Sequence, residues 1–184
     1  MATSEEHALT TAITVIWIVF WGYWLISAFS AKQGSSAGAR GRPIGVVVII
    51  AGWALERSVG RGPGVSSGLE VAGLIVLVAG LGLAVWARVH LGRNWGMPMT
   101  LKAEPELVTS GPYRLVRHPI YSGILLGLLG TALAIGPLWF IVPGAVGAYF
   151  VYCARVEERI MASEFPDAYP PYRARTTMVI PFLL

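Results

Sequence analysis

Cysteine is almost absent from this chain. Its 184 residues hold one, Cys153, which excludes an internal disulfide and any metal site built from cysteines. Charge is nearly as scarce: 13% of residues are Asp, Glu, Lys or Arg, 55% are hydrophobic, and the mean hydropathy is +0.63. A soluble domain carries roughly 25% charged residues, so a soluble enzyme or carrier is excluded. The opening MATSEEHALT is acidic and lacks the basic stretch of a cleavable signal peptide, so the first apolar run is expected to stay as an anchor. No motif that reads RNA or DNA occurs. The formal charge of +4 is assigned to membrane topology and anionic lipid, and no nucleic-acid partner is expected.

What the chain has is apolar length. Residues 9–29 (LTTAITVIWIVFWGYWLISAF) and 69–87 (LEVAGLIVLVAGLGLAVWA) each suffice to cross about 30 Å of hydrocarbon at about 1.5 Å per residue. Residues 44–55 (IGVVVIIAGWAL) form a shorter run, a full span or an abbreviated, tilted or interfacial helix. Residues 119–135 and 137–154 meet at Gly136-Pro137, which predicts a tight antiparallel hairpin, with Pro143 kinking its second helix. The expectation is an all-α, polytopic membrane bundle of about five transmembrane helices. Residues 1–87 supply three of them, and residues 88–184 form a region with a loop, the hairpin and a tail.

Basic residues orient that bundle. With five spans, the stretches 30–43, 88–118 and beyond 154 share one side and hold 3, 5 and 4 Lys and Arg; the other side has only Arg57 and Arg61. This bias places the N-terminus outside and the C-terminus in the cytoplasm, in a cell membrane. Small residues suggest how helices meet: Gly123 with Gly127, Gly80 with Ala84 and Gly144 with Ala148 repeat the spacing that lets backbones approach closely in lipid. The seven tryptophans and seven tyrosines are read mostly as interfacial anchors.

Polar residues gather in two places on the basic side: the stretch from Arg88 to His118, and VEERIMASEFPDAYPPYRART at 156–176. Both flank the hairpin, so its start at His118 and its end at Glu157 return to one membrane face. Glu157 and Glu158 fall at or just past the end of the last span. Successive helical residues differ by about 100°, so both are not expected to face one partner, and one is expected to point inward. A solvated helix end paired with Arg155 or Arg159 is the plainer alternative. The tail carries Phe165, Tyr169, Tyr172 and Arg175, interrupted by Pro166, Pro170 and Pro171. That pattern suits a segment folded back over a site.

These residues carry a resemblance. LVTSGPYRLVRHPIYSG at 107–123, two helices, then EE, F, Y, Y, R and a late P resemble the isoprenylcysteine carboxyl methyltransferase family and its relatives among phospholipid methyltransferases. The likeness covers about residues 88–182, half of the chain. It implies a multi-span enzyme that binds S-adenosylmethionine at the cytosolic face. On matching positions it implies a cofactor pocket drawn from Asn94, Leu107, Val108, Gly111, Tyr113, Arg117, His118, Tyr121, Glu157, Glu158 and Tyr172. Arg117 or an amide near Gly111 would meet the cofactor carboxylate, and Glu157 or Glu158 would accept from ribose or ammonium. Leu107 and Val108 would pack on the adenine, and Pro119 would open the following helix at its first position. Arg114 is expected to be a lipid-facing anchor.

Methyl transfer from a sulfonium is an in-line displacement, so positioning outranks proton transfer. The family's acceptor is a carboxylate, which a cation should orient. Arg175 matches the family's arginine there, and Lys102 and Glu158 complete the candidate catalytic set. The implied acceptor is a lipophilic small molecule or a lipid-modified substrate, with membrane lipids around it. One departure is Phe165-Pro166 where the family commonly reads FG. Two other classes fit less well: an NADPH-dependent sterol-reductase-like enzyme, expected to be longer, and a non-enzymatic membrane scaffold, which needs neither RHPxY nor EE.

Overall fold

The structure is a computed structural model that describes residues 4–28, 34–36, 65–95, 100–102 and 106–179. Its described elements are α1 (Ser4–Ala28), β1 (Gly34–Ser36), α2 (Ser67–Leu91), β2 (Thr100–Lys102), α3 (Pro119–Ile135), α4 (Ile141–Glu164) and α5 (Tyr169–Ala174), with 3-10 turns at Gly92–Asn94, Gly111–Arg114 and Pro137–Phe140. Among the described residues, three stretches are long and apolar enough to cross a membrane: His7–Ser27, Ser67–Leu91 and Pro137–Glu164. Pro119–Ile135 is a shorter apolar helix. The chain is a helical membrane bundle, and among the described residues it adds to the expectation the antiparallel pair β1–β2, with Gly34 opposite Lys102, and the short helix α5 in the tail. The apolar run 44–55 lies outside the described residues.

Glycine decides how α2 and α3 pack. A Cβ at Gly80 would lie 2.5 Å from the Gly127 amide nitrogen, and one at Gly123 would lie 2.6 Å from that of Ala84. At Gly73 it would lie 2.6 Å from the Gly130 carbonyl oxygen. Pairing 73 with 130 and 84 with 123 makes the two helices antiparallel. Backbones in contact gain dispersion that lipid tails cannot replace. Gly144, the third expected step, has open space around it and is no part of this seam.

Helix α1 lies on the seam through Phe20 and Ile13, which join a buried cluster with Leu77, Leu81, Ile124 and Ile135. The Trp17 indole donates to the Thr131 hydroxyl at 3.1 Å, and Arg88 near the end of α2 donates to the Ser27 carbonyl at the end of α1. These contacts make α1 and α2 run parallel, so both end on one face. Trp17, Phe20, Trp21 and Trp24 form a ring ladder that continues to Trp95, 5.8 Å from Trp24. Several aromatics expected as interfacial anchors are therefore packing groups.

The hairpin forms as its sequence predicts, with corrections at both ends of its second helix. Gly136 adopts φ 141°, a conformation open to glycine, and Pro137 opens the 3-10 turn. Pro143 falls in the first turn of α4, where an absent N–H goes unmissed, rather than kinking its middle. Helix α4 runs to Glu164 instead of ending near 154, because Glu157, Glu158, Arg159, Met161 and Ala162 are good helix formers and carry the helix on once hydropathy has dropped. Glu157 and Glu158 thus stand inside a helix.

Candidate active site

The ends of α2 and α4 and the start of α3 meet on one face of the bundle. His118 is the residue before α3, and its side chain makes no cap hydrogen bond; Pro119 takes the first helical position. After the 3-10 turn closes at Leu115, the chain from 116 to 118 pairs in parallel with the tail. The Arg117 amide donates to the Thr177 carbonyl at 2.9 Å, the His118 amide to the Met178 carbonyl at 3.0 Å, and Val116 bridges Thr177. The Ser122 hydroxyl donates to the Val179 carbonyl. The tail arrives there through α5, whose first turn tolerates Pro170 and Pro171. Its Tyr172 hydroxyl donates to the Tyr113 carbonyl at 2.7 Å. The tail thus folds back against residues 115–118.

Beneath this strap sits a compact ionic group. The Arg117 Nε donates to Glu158 Oε1 at 2.6 Å, with side chains only 9% and 6% exposed. The same guanidinium donates to the carbonyls of Thr176 and Arg173. The His118 ring lies between the two carboxylates, Nδ1 3.3 Å from Glu157 Oε2 and Nε2 3.7 Å from Glu158 Oε1. Both glutamates therefore face one imidazole, contrary to the expectation that only one points inward. A ring with two separated nitrogens can serve neighbours about 100° apart on a helix. Tyr121 donates to Glu157 Oε1 at 2.6 Å and stacks between His118 and Phe150 at 5.4 and 4.4 Å.

Charge in this group is balanced by proximity. Burial works against a charged His118, yet the contact with Glu157 and the negative charges of Glu157 and Glu158 outweigh it and hold its pKa above the ordinary imidazole value. Burial pushes the Tyr172 phenol up to about 12 and, with Tyr172 beside it, raises Tyr113 further. Both stay protonated donors at neutral pH. Glu157 is 24% exposed against 6% for Glu158. It is the carboxylate with room for an outside partner, and its two oxygens are already oriented by Tyr121 and His118.

A second group lies where α2 ends. The Tyr113 hydroxyl reaches the Ala87 carbonyl at 3.4 Å, tying it to the first group. Gly111 adopts φ 57°, and a Cβ there would lie 2.6 Å from the His90 ring, which contacts the Ser110 hydroxyl at 3.1 Å. Asn94 donates to Glu106 at 3.0 Å, one residue ahead of the half-buried Leu107 and Val108. Arg88, 2% exposed, donates to the Gly92 carbonyl and lies 4.6 Å from the Trp95 ring centroid.

The structure thus brings His118, Arg117, Tyr121, Glu157, Glu158, Tyr172 and Tyr113 together and sets Asn94, Leu107, Val108 and Gly111 on the adjoining loop. Arg117 departs from its expected part, because the buried Glu158 and two tail carbonyls occupy its guanidinium. Arg175 is exposed at the end of α5; the tail arginine that reaches the pair is Arg173, its Nε 3.5 Å from Glu158 Oε2. Arg114 is exposed. Lys102 is placed by its backbone in β2, and its side chain lies outside the described residues. The sequence reading missed Glu106, Arg88 and Arg173; only Arg88, a charge at the end of an apolar helix, carried a signal.

The sequence profile of a family described as Phospholipid methyltransferase matches residues 69–168. The chain is 34% identical over 119 residues to the cobalt-zinc-cadmium resistance protein CzcN of Cupriavidus metallidurans, covering 63% of this chain and 53% of that protein. It is 29% identical over 115 residues to protein-S-isoprenylcysteine O-methyltransferase B of Arabidopsis thaliana, covering 60% and 58%. The solved structure of the eukaryotic intramembrane Ras methyltransferase, isoprenylcysteine carboxyl methyltransferase, is similar with a TM-score of 0.60 and 26% identity over 77% of this chain and 53% of that one. The chain spans a little over half the length of these relatives.

Proposed function

Because the chain belongs to the phospholipid methyltransferase family, we propose that it is an integral membrane methyltransferase using S-adenosylmethionine to methylate a lipophilic acceptor, a prenyl-like or lipid carboxylate. The observation that carries this reading is the group His118, Tyr121, Glu157 and Glu158 under a tail that closes against residues 115–118. Its chemistry fits the donor. A partly exposed, pre-oriented carboxylate at Glu157 suits an ammonium or ribose hydroxyls, and the buried Asn94 Oδ1, without a hydrogen-bond partner among the described residues, suits a further N–H or O–H.

The bound donor supplies an electrophilic methyl group on a sulfonium. The chain's own part is to position. Glu157, Tyr121 and Asn94 bind, Leu107 and Val108 offer apolar surface, and the strap from α5 to Val179 keeps water from the group. Glu158 holds Arg117 and His118 in place. Arg175, exposed on the same strap, is the cation we assign to orienting the acceptor carboxylate without neutralising it. The excess of basic residues on this face supports a cytoplasmic position for the site, in a cell membrane.

The test is methyl transfer in detergent from S-adenosylmethionine labelled at its methyl group to a panel of long-chain thioether carboxylates, alcohols and amines. Label should pass to the organic phase with the carboxylates and be released as volatile methanol by base, as an ester requires. Label that resists base contradicts the carboxylate acceptor, and no transfer to any acceptor contradicts the enzyme.

A further inference from the structure

We propose that Glu106 is a positioning residue that fixes the Asn94 amide, so that the Asn94 oxygen is presented as a hydrogen-bond acceptor to an N–H or O–H of the methyl-donor nucleotide. The inference rests on the cofactor reading above and adds an orienting device to it. A carboxylate can accept but not donate. Only the NH2 end of the Asn94 side chain can therefore face Glu106 at the observed 3.0 Å from Nδ2 to Oε2. The carbonyl end is thereby committed to the other direction, where it is buried without a hydrogen-bond partner among the described residues. A buried carbonyl oxygen left that way disfavours the empty state and favours any ligand that donates to it.

The backbone around Asn94 is held as firmly as its amide. Arg88 clamps the turn from both sides, donating to the Gly92 carbonyl at 2.8 Å and lying 4.6 Å from the Trp95 ring centroid. The Gly92 amide returns a hydrogen bond to the carbonyls of Arg88 and Val89, and the Trp95 amide closes on the Gly92 carbonyl at 3.3 Å. Asn94 thus has a fixed backbone on the helix side and a fixed amide rotation from the loop side. Glu106 itself is exposed, so its contribution is to orientation rather than to the core.

The experiment is calorimetric titration of the detergent-solubilised full chain with S-adenosylhomocysteine, comparing wild type, Asn94→Ala, Glu106→Gln and the double variant, with thermal unfolding as a control for folding. Loss of one hydrogen bond to a buried acceptor should weaken Asn94→Ala about tenfold. Glu106→Gln should weaken binding roughly fivefold, because a glutamine amide pairs with Asn94 in either orientation and releases the fixed rotation. The double variant should be no weaker than Asn94→Ala alone, since Glu106 acts through Asn94. Glu106→Gln binding at wild-type strength, or losses that multiply in the double variant, would overturn the proposal. A wild type that does not bind S-adenosylhomocysteine contradicts instead the cofactor reading on which it stands.

Discussion

Replacing Arg117 by alanine should loosen the tail without unpacking the membrane helices. The wild-type guanidinium neutralises Glu158, itself 6% exposed, and donates to the Thr176 and Arg173 carbonyls. Removing one partner of a buried ion pair costs about 3–5 kcal/mol when the other charge is stranded. Glu158 is not wholly stranded, since His118 and Arg173 remain 3.7 and 3.5 Å away, so the lower end, about 3 kcal/mol, applies. For a chain of this size that lowers the unfolding midpoint by about 6–12 °C. Arg117→Lys keeps a charge but has no planar fork to serve Glu158 and the tail carbonyls together, and should lose about half as much. The assay is thermal unfolding in detergent together with limited proteolysis, with new cleavage confined to residues 165–179. Arg117→Ala within 1 °C of wild type, or cleavage that begins in α2 or α3, would refute the reasoning.

The remaining expectations follow from the same contacts. Gly80→Ala forces its Cβ against the Gly127 backbone and should cost about 1–3 kcal/mol, whereas Gly144→Ala, with open space around it, should stay within about 0.5 kcal/mol; unfolding midpoints compare them. Glu157 and Glu158 raise the His118 pKa despite burial, so the stabilisation they give is complete below the unfolded value of about 6.5 and is lost as pH rises through the higher folded value. The unfolding midpoint should fall across that alkaline step, and His118→Gln should flatten it. Arg175→Ala should lower turnover more than cofactor affinity in parallel kinetic and calorimetric titrations; normal turnover would remove Arg175 from the acceptor role.

Much of this site was legible because local rules and a tight hairpin act together. Gly136-Pro137 forces the chain back, so Tyr121 and Glu157, 36 residues apart, had to return to one face, and Pro119 marks where the helix between them begins. The Gly80 and Ala84 steps against Gly123 and Gly127 were readable from spacing. The matching contact of Gly73 with Gly130 was not, because Gly73 has no small residue four positions away to mark it. Partner choice was the illegible part. Arg117 meets Glu158 across 41 residues through a tail whose path depends on tertiary contacts. In a helix, residues 173 and 175 point about 200° apart, so only the structure decides that Arg173 reaches the carboxylate. Hydropathy ended α4 early because it reads solubility, while Glu157, Glu158, Arg159, Met161 and Ala162 keep the propensity to continue a helix. The β1–β2 pair left no trace in GSS and TLK, which carry too few residues for a period-two pattern.

The central claim is that one end of the bundle grips an adenosyl sulfonium between His118, Tyr121 and Glu157, and calorimetry tests it most directly. Titrating the detergent-solubilised chain with S-adenosylmethionine, S-adenosylhomocysteine and NADPH should give micromolar binding of the first two alone, weakened about tenfold or more in Glu157→Gln. Binding of NADPH alone, or an affinity for S-adenosylmethionine that Glu157→Gln leaves unchanged, would contradict it.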